Sequence, residues 1–135
     1  MSLASAFSSI NWLAVLVAGI VHIVVSLVYF QPVFFGKAWV ELTGKEMKPA
    51  ARWMPAGVAA HLVCVLVLAV IVNLANATTL LEGVAVAILV WIGFIVTLEA
   101  GELVWEKIPF KLFLIRIGDH LLTLSLAGAI LALWR

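Results

Sequence analysis

Four long apolar stretches run along the chain and are separated by short polar ones. They cover Ile10–Phe30, Trp53–Leu74, Leu80–Trp105 and Phe110–Trp134. Each is about as long as, or longer than, the ~20 residues with which a helix crosses ~30 Å of hydrocarbon. The pattern therefore predicts an all-α fold in one transmembrane domain over residues 1–135. We expect a four-helix antiparallel transmembrane bundle.

Local signals mark the ends of these predicted spans. Gln31 precedes Pro32, and proline disfavours helical geometry in the residue before it, so the first span should end there. Thr79 followed by Glu82 matches a capping box, which predicts the start of the third span. Pro109 is well placed to open the fourth span, because proline is tolerated in the first turn of a helix.

The stretch Val33–Leu42, between the first two spans, separates its apolar and polar side chains. Such a short amphipathic stripe beside a span predicts an interfacial helix that lies on the membrane surface. A loop with scattered aromatic residues is the alternative. Gly44 should end the helix in a left-handed conformation. The apolar face holds Phe34, Phe35, Ala38, Trp39 and Leu42, and the polar face holds Lys37 and Glu41.

Small residues recur at every fourth position on two of the spans. On the third span they are Gly93, Thr97 and Gly101, and on the fourth they are Ser125 and Ala129. Faces of this kind let helix backbones approach closely, either within one chain or between chains. Four helices that pack their own core leave no room for a water-filled pore. A channel or carrier built from this chain would therefore be a homo-oligomer.

The composition supports a membrane protein. Hydrophobic residues make up 66% of the chain and charged residues 11%, against about 45–50% and about 25% in soluble domains. We expect a multi-pass protein of a plasma or inner membrane, with the lipid bilayer as its partner and other membrane subunits as an open question. The net charge of +1 predicts no nucleic-acid partner. The single Cys64 excludes a disulfide within the chain.

The distribution of basic residues predicts the orientation. Met1–Ser9 contains no Lys or Arg, so the first apolar run is expected to be a retained span rather than a cleaved signal peptide. Lys and Arg are concentrated in cytoplasmic connections of membrane proteins. The first and third connections should therefore be cytoplasmic, and both termini should lie outside. The basic residues concerned are Lys37, Lys45, Lys48 and Arg52 in the first connection, and Lys107 and Lys111 around the third.

Ionisable side chains interrupt the apolar spans and form the candidate site. At ~1.5 Å of rise per residue, the three histidines lie at a similar depth, roughly 13–16 Å from the predicted cytoplasmic edge. A charged residue at the centre of a span costs about 2.5–3.5 kcal/mol, so these groups need partners inside the protein. We expect Arg116 to pair with Glu99 or Glu102, and also with Asp119 on its own helix. The candidate site comprises His22, His61, Glu99, Glu102, Arg116, Asp119 and His120.

Three interpretations of this polar set remain open. The leading hypothesis is an oligomeric protein whose buried site handles protons or small ions, because histidine titrates near neutral pH and intramembrane ionisable groups often form ion pathways. The alternative is a non-catalytic membrane subunit or scaffold, in which the polar groups only specify helix packing. In the third, His22, His61 and His120 are candidate ligands of a metal, or His22 and His61 of haem. No spacing matches a metal motif, so we expect no cofactor.

An enzyme is not indicated by the sequence. No nucleophile motif, Gly-rich phosphate loop or metalloprotease motif is present.

With these features in place, the chain resembles a family of small membrane proteins grouped as a domain of unknown function, family 1761. The resemblance extends over nearly the whole chain. It implies an integral membrane protein, and it supplies neither an activity nor binding residues. The residues that carry it are Asn11-Trp12, Phe35-Gly36-Lys37 with Trp39, Thr43-Gly44, Trp91-Ile92-Gly93-Phe94 and the stretch Phe113–Gly118.

Overall fold

A computed structural model describes all 135 residues and contains helices and no strands. The all-α class predicted from the sequence is therefore confirmed. The elements in order are α1 (Leu3–Ser8), α2 (Trp12–Tyr29), α3 (Gly36–Thr43), a 3₁₀ turn (Ala51–Trp53), α4 (Met54–Leu74), α5 (Leu80–Val90), a π-helical segment (Trp91–Val96), α6 (Thr97–Trp105) and α7 (Phe110–Leu133).

Four of the helical stretches are long and apolar enough to cross a membrane. They are Trp12–Tyr29, Ala51–Leu74, Leu80–Trp105 and Phe110–Leu133. Their ends lie within two residues of the predicted spans. The first begins at Trp12 rather than Ile10 because the Asn11 side chain caps it, accepting hydrogen bonds from the backbone N–H groups of residues 13 and 14.

Two predicted helix ends are confirmed. The Thr79 hydroxyl accepts a hydrogen bond from the Glu82 backbone N–H, and the Glu82 carboxylate accepts one from the Thr79 backbone N–H, which completes the capping box. Gly44 follows α3 with φ of 67°, in the left-handed region where glycine carries no steric penalty.

Two short helices outside the four spans differ from the prediction. The amphipathic helix begins at Gly36 rather than Val33, because backbone hydrogen bonds fold Tyr29–Gly36 into a turn. Phe34 and Phe35 consequently lie before the helix and not on its apolar face. The helix α1 was not predicted. It packs on α4, where the Asn73 side-chain amide donates to the Ala6 carbonyl at 3.0 Å.

All four spans contribute to the packing at one end of the bundle, whereas at the other end the first half of α4 is exposed. We call the closed end the half next to the chain termini and the second connection (residues 75–79), and the open end the half next to the first and third connections. The hydrophobic core lies at the closed end, where it is built from the first half of α2, the second half of α4, Ala87 of α5 and the second half of α7. Helix α7 alone has buried residues along its whole length.

Helices α5 and α7 approach each other closely at a pair of glycines. Gly83 and Gly128 face one another, and a Cβ atom on either would overlap the backbone carbonyl oxygen of the other. Ala87 and Ala132 flank this contact, with methyl groups 2.9 Å and 2.6 Å from the ideal Cβ positions of Gly128 and Gly83. Glycine is required here because only a missing side chain lets the two backbones meet.

The small face predicted on the third span is not used within the chain. A Cβ atom on Gly93 or Gly101 would meet nothing within 4 Å. Of the two uses that the sequence pattern left open, packing within one chain is not seen at these glycines. The same span also contains the unpredicted π-helical segment, and there the Trp91 indole N–H donates to the Ile117 carbonyl of α7 at 2.7 Å.

Candidate functional site

Two histidines from different helices meet where the closed end gives way to the open end. The Nδ1 atoms of His22 on α2 and His61 on α4 lie 3.0 Å apart, and the ring centroids are 4.9 Å apart with an angle of 57° between the rings. This contact requires one Nδ1 to carry a hydrogen and the other to accept it, so at least one ring is neutral. Helix rise predicted that the three histidines lie at one level, and two of them are in contact.

Asp119 of α7 lies beside this pair but bonds to a different residue. Its Oδ2 atom accepts a hydrogen bond from the Ser26 hydroxyl at 3.0 Å. Ser26 lies one helical turn after His22, so both side chains project from the same face of α2. Asp119 is 4% exposed and His22 is 2% exposed. The α2–α7 contact is therefore a part-buried hydrogen bond inside the apolar part of the chain.

Each of these two buried residues has a polar atom without a hydrogen-bond partner in the chain. The atoms are Nε2 of His22 and Oδ1 of Asp119. Leaving a buried polar atom unpaired costs about 1–3 kcal/mol, and more for a charged group. Native proteins tolerate few such atoms, and functional sites are one of the places where they occur.

His120 lies next to this group without bonding to it. Its side chain is half-buried and makes no hydrogen bond, although it lies within electrostatic range of His22 and His61. The following turn is held by Thr123, whose hydroxyl donates to the Asp119 carbonyl at 2.9 Å. We call His22, His61, Asp119 and His120, together with Ser26, the histidine cluster.

The remaining predicted site residues form a separate ion pair between α6 and α7. The Arg116 guanidinium lies 3.4 Å from the Glu99 carboxylate and 3.8 Å from the Glu102 carboxylate. The predicted pairing of Arg116 with glutamate is therefore present. The predicted pairing with Asp119 is wrong, because Asp119 turns toward Ser26 of α2 while Arg116 points toward α6.

The sequence prediction overlooked residues whose hydrogen bonds tie α7 to its neighbours. The Tyr29 hydroxyl donates to the Ile115 carbonyl at 2.9 Å, and Ser26 donates to Asp119 as described above. A signal for Ser26 was present, since it lies four residues after His22 on one helical face. An aromatic residue at the end of a span, such as Tyr29, is typical of the membrane interface, and its bond to α7 has no signal in the sequence.

The arrangement does not resemble a metal or haem site. No group of three His, Cys, Asp or Glu side chains is placed so that it could hold a metal ion. Two axial ligands of one metal lie about 4 Å apart, since each metal–nitrogen bond is about 2.0–2.1 Å long. The two Nδ1 atoms are 3.0 Å apart in direct contact, which leaves no space for a porphyrin between the rings.

The fold and this cluster define a multi-pass helical membrane protein with ionisable groups buried between its helices. Residues 13–132 match the model of one family, described as Protein of unknown function (DUF1761), and the chain belongs to this family. The resemblance noted from the sequence is thereby confirmed. No curated protein and no solved structure matches the chain.

Proposed function

We propose that the histidine cluster takes up and releases protons within the membrane. The observation that carries this proposal is the direct contact of two imidazoles, His22 and His61, at 3.0 Å. Imidazole can donate through one ring nitrogen and accept through the other, so two rings in contact can pass a proton between their Nδ1 atoms. The unpartnered Nε2 of His22 and Oδ1 of Asp119 are two further atoms at which a proton can be held.

We expect protons or small ions to cross the whole membrane by a carrier mechanism rather than through an open channel. Buried apolar residues fill the closed end, so a single chain has no continuous polar path from the cluster to the termini. A protein with this packing can move a proton or small ion only if the cluster becomes accessible to each side in turn. Arg116, Glu99 and Glu102 lie closer to the third connection and would hold α6 against α7 during such a change.

The test of this proposal is proton flux into proteoliposomes. We expect the double variant His61→Ala, His120→Ala to lower the flux by roughly tenfold or more, since both imidazoles are removed from the relay. The matched control is Glu106→Gln, which removes an exposed ionisable group just after the third span. A double variant with the flux of the unmodified protein would eliminate proton transfer through this cluster.

A second candidate function, a non-catalytic membrane subunit, is favoured by a different observation. Helix α7 bonds to three of its neighbours through a polar side chain: Tyr29 from α2, Trp91 from the π-helical segment and Glu99 from α6. In this alternative, the polar groups only fix how the helices pack. Removing the Arg116 side chain, which is bonded to α6, tests this alternative directly.

We propose further that the first and third connections face the cytoplasm and that the protein forms a homo-oligomer in the bilayer. The orientation is supported by the basic residues of those connections. The oligomer is supported by the third span, whose Gly93 and Gly101 have open space beside them. We expect native mass spectrometry of the protein in mild detergent to give a mass above the 14.6 kDa of one chain. A uniformly monomeric species would contradict this.

A further inference from the structure

A cavity of about 380 Å³ lies at the open end and reaches the histidine cluster through Ser26. Its polar lining comes from Ser26, Gln31, Glu46 and Lys48, with Phe30 and Trp39 among the apolar residues of its wall. One water molecule needs only about 10–15 Å³ of such volume. The cavity therefore has room for many water molecules, and its polar lining can hydrogen-bond to them.

The hydroxyl of Ser26 connects this cavity to the buried carboxylate. Its hydrogen is donated to Asp119 Oδ2, which leaves the lone pairs of the hydroxyl oxygen free to accept. A water molecule in the cavity can thus lie one hydrogen bond from Ser26 and two from Asp119. Glu46 and Lys48 belong to the first connection, so the cavity adjoins that membrane face.

The closed end offers no equivalent route. The cavity there, next to Asn11 and Arg135, measures about 10 Å³, which is at the lower limit for one water molecule. Between it and His22 lie fully buried apolar residues from three helices, including Ala18, Val65 and Leu124. Water would have to cross this dry layer to reach the cluster from the side of the termini.

Helices α2 and α4 also separate at the open end, whereas α2 stays in contact with α7 through Tyr29. Every residue from Ala51 to Ala60 is exposed, and a Cβ atom on Gly57 would meet nothing within 4 Å. On α2 the last buried residue is His22. The first half of α4 therefore contributes nothing to a core, and the histidine pair marks the point from which α2 and α4 diverge.

We propose that the cavity beneath Ser26 is an aqueous vestibule that supplies water and protons to the histidine cluster from the membrane face of the first connection only. This inference deepens the proposed function, on which its mention of protons rests. The water access itself is a separate claim, because it follows from the cavity, its lining and the dry closed end.

Cysteine labelling tests the vestibule, starting from a Cys64→Ala background that has no other thiol. A membrane-impermeant cationic methanethiosulfonate is added to proteoliposomes, and labels are counted per molecule by intact mass. We expect Ser26→Cys to react roughly tenfold or more faster than Val25→Cys, because the thiolate that reacts forms in water and not in apolar surroundings. Val25 lies one residue away and lines an apolar groove together with Val28.

Leu27→Cys and Val28→Cys repeat the comparison without altering the Ser26 hydroxyl. Leu27 lines the cavity, and Val28 lies one residue nearer the membrane surface on the apolar groove. If both cavity positions react no faster than both groove positions, lipid rather than water fills the cavity and the inference is overturned.

Double variants report the side of access in liposomes of mixed orientation. Lys45 lies in the first connection and Thr78 in the second. After labelling is complete, molecules with Ser26→Cys and Lys45→Cys should carry two labels or none, whereas molecules with Ser26→Cys and Thr78→Cys should carry one. The reverse pattern would overturn access from the first connection. Proton flux is measured in a separate assay. Equal labelling of cavity and groove positions would therefore overturn the vestibule alone, whereas unchanged flux in the histidine variants would overturn the proposed proton transfer.

Discussion

Replacing Gly128 with alanine should lower the free energy of unfolding by about 1–3 kcal/mol, the range for inserting an atom into a packed interior. The added Cβ would overlap the Gly83 carbonyl oxygen and lie 2.9 Å from the Ala87 methyl group. A backbone carbonyl cannot rotate away as a flexible side chain can. Helices α5 and α7 would therefore have to separate, which weakens their packing on both sides of the contact. The measurement is an SDS titration of the protein in mild detergent micelles, followed by tryptophan fluorescence.

The third span supplies a matched control for this substitution. Gly93→Ala and Gly101→Ala add the same methyl group to the span that carries Gly83, at positions where it meets nothing within 4 Å. In the monomeric chain, without the proposed oligomer interface, they should leave stability unchanged or raise it slightly, since alanine favours helix over glycine by about 1 kcal/mol. Gly83→Ala should destabilise the protein about as much as Gly128→Ala. The double variant should lose less free energy of unfolding than the sum of the two single losses, because one substitution already separates the helices. Equal stability of Gly128→Ala and Gly101→Ala would refute the close contact.

The spans could be predicted from the sequence because crossing a membrane depends on local properties. A helix satisfies its own backbone in hydrocarbon, so about twenty apolar residues suffice to define it. Caps are local too, and the Thr79–Glu82 box forms as the sequence predicts. The π-helical segment Trp91–Val96 escaped prediction because it carries no spacing signal of its own, and the Trp91–Ile117 hydrogen bond to another helix accompanies it.

The choice of contact face was not encoded locally. Gly83 and Gly128 form the tight crossing, whereas Gly93 and Gly101 have open space, and small residues recur at a spacing of four in both regions. Which of them meets a partner depends on how each helix is rotated about its axis. That rotation is set by the whole bundle, so the pattern alone identifies candidates without choosing between them.

The sequence predicted the depth of the candidate site residues but not all of their hydrogen-bond partners. Helix rise placed the histidines at one level, and His22 and His61 are in contact. The spacing of Arg116 and Asp119 allowed a bond within α7, yet each side chain bonds to a different neighbouring helix. An i, i+3 spacing shows only that two side chains can meet. Partners from α2 and α6 decided the outcome, and their positions follow from tertiary structure.

Removing the Arg116 side chain should destabilise the chain through the carboxylates it leaves behind. Arg116 lies six residues after Phe110, about 9 Å along α7 from its start, where charges are costly. Arg116→Ala would leave Glu99 and Glu102 without a cation. The Glu99 side chain is 24% exposed, that of Glu102 is 43% exposed and that of Arg116 is 32% exposed. We therefore expect the free energy of unfolding to fall by about 2–3 kcal/mol, at or below the lower end of the range for breaking a buried ion pair. The SDS titration described above measures it.

The charge argument is separated from lost packing by a compensating variant. If uncompensated carboxylates cause the loss, adding Glu99→Gln and Glu102→Gln to Arg116→Ala should restore most of the stability, because neutral amides cost less to bury than carboxylates. Lys111→Ala is the control, since it removes an exposed cation from the same helix. Failure of the two glutamines to restore stability would mean that Arg116 acts through its aliphatic stem. If the Arg116→Ala protein is as stable as the unmodified protein, the ion pair has no structural role. It then no longer supports the subunit alternative.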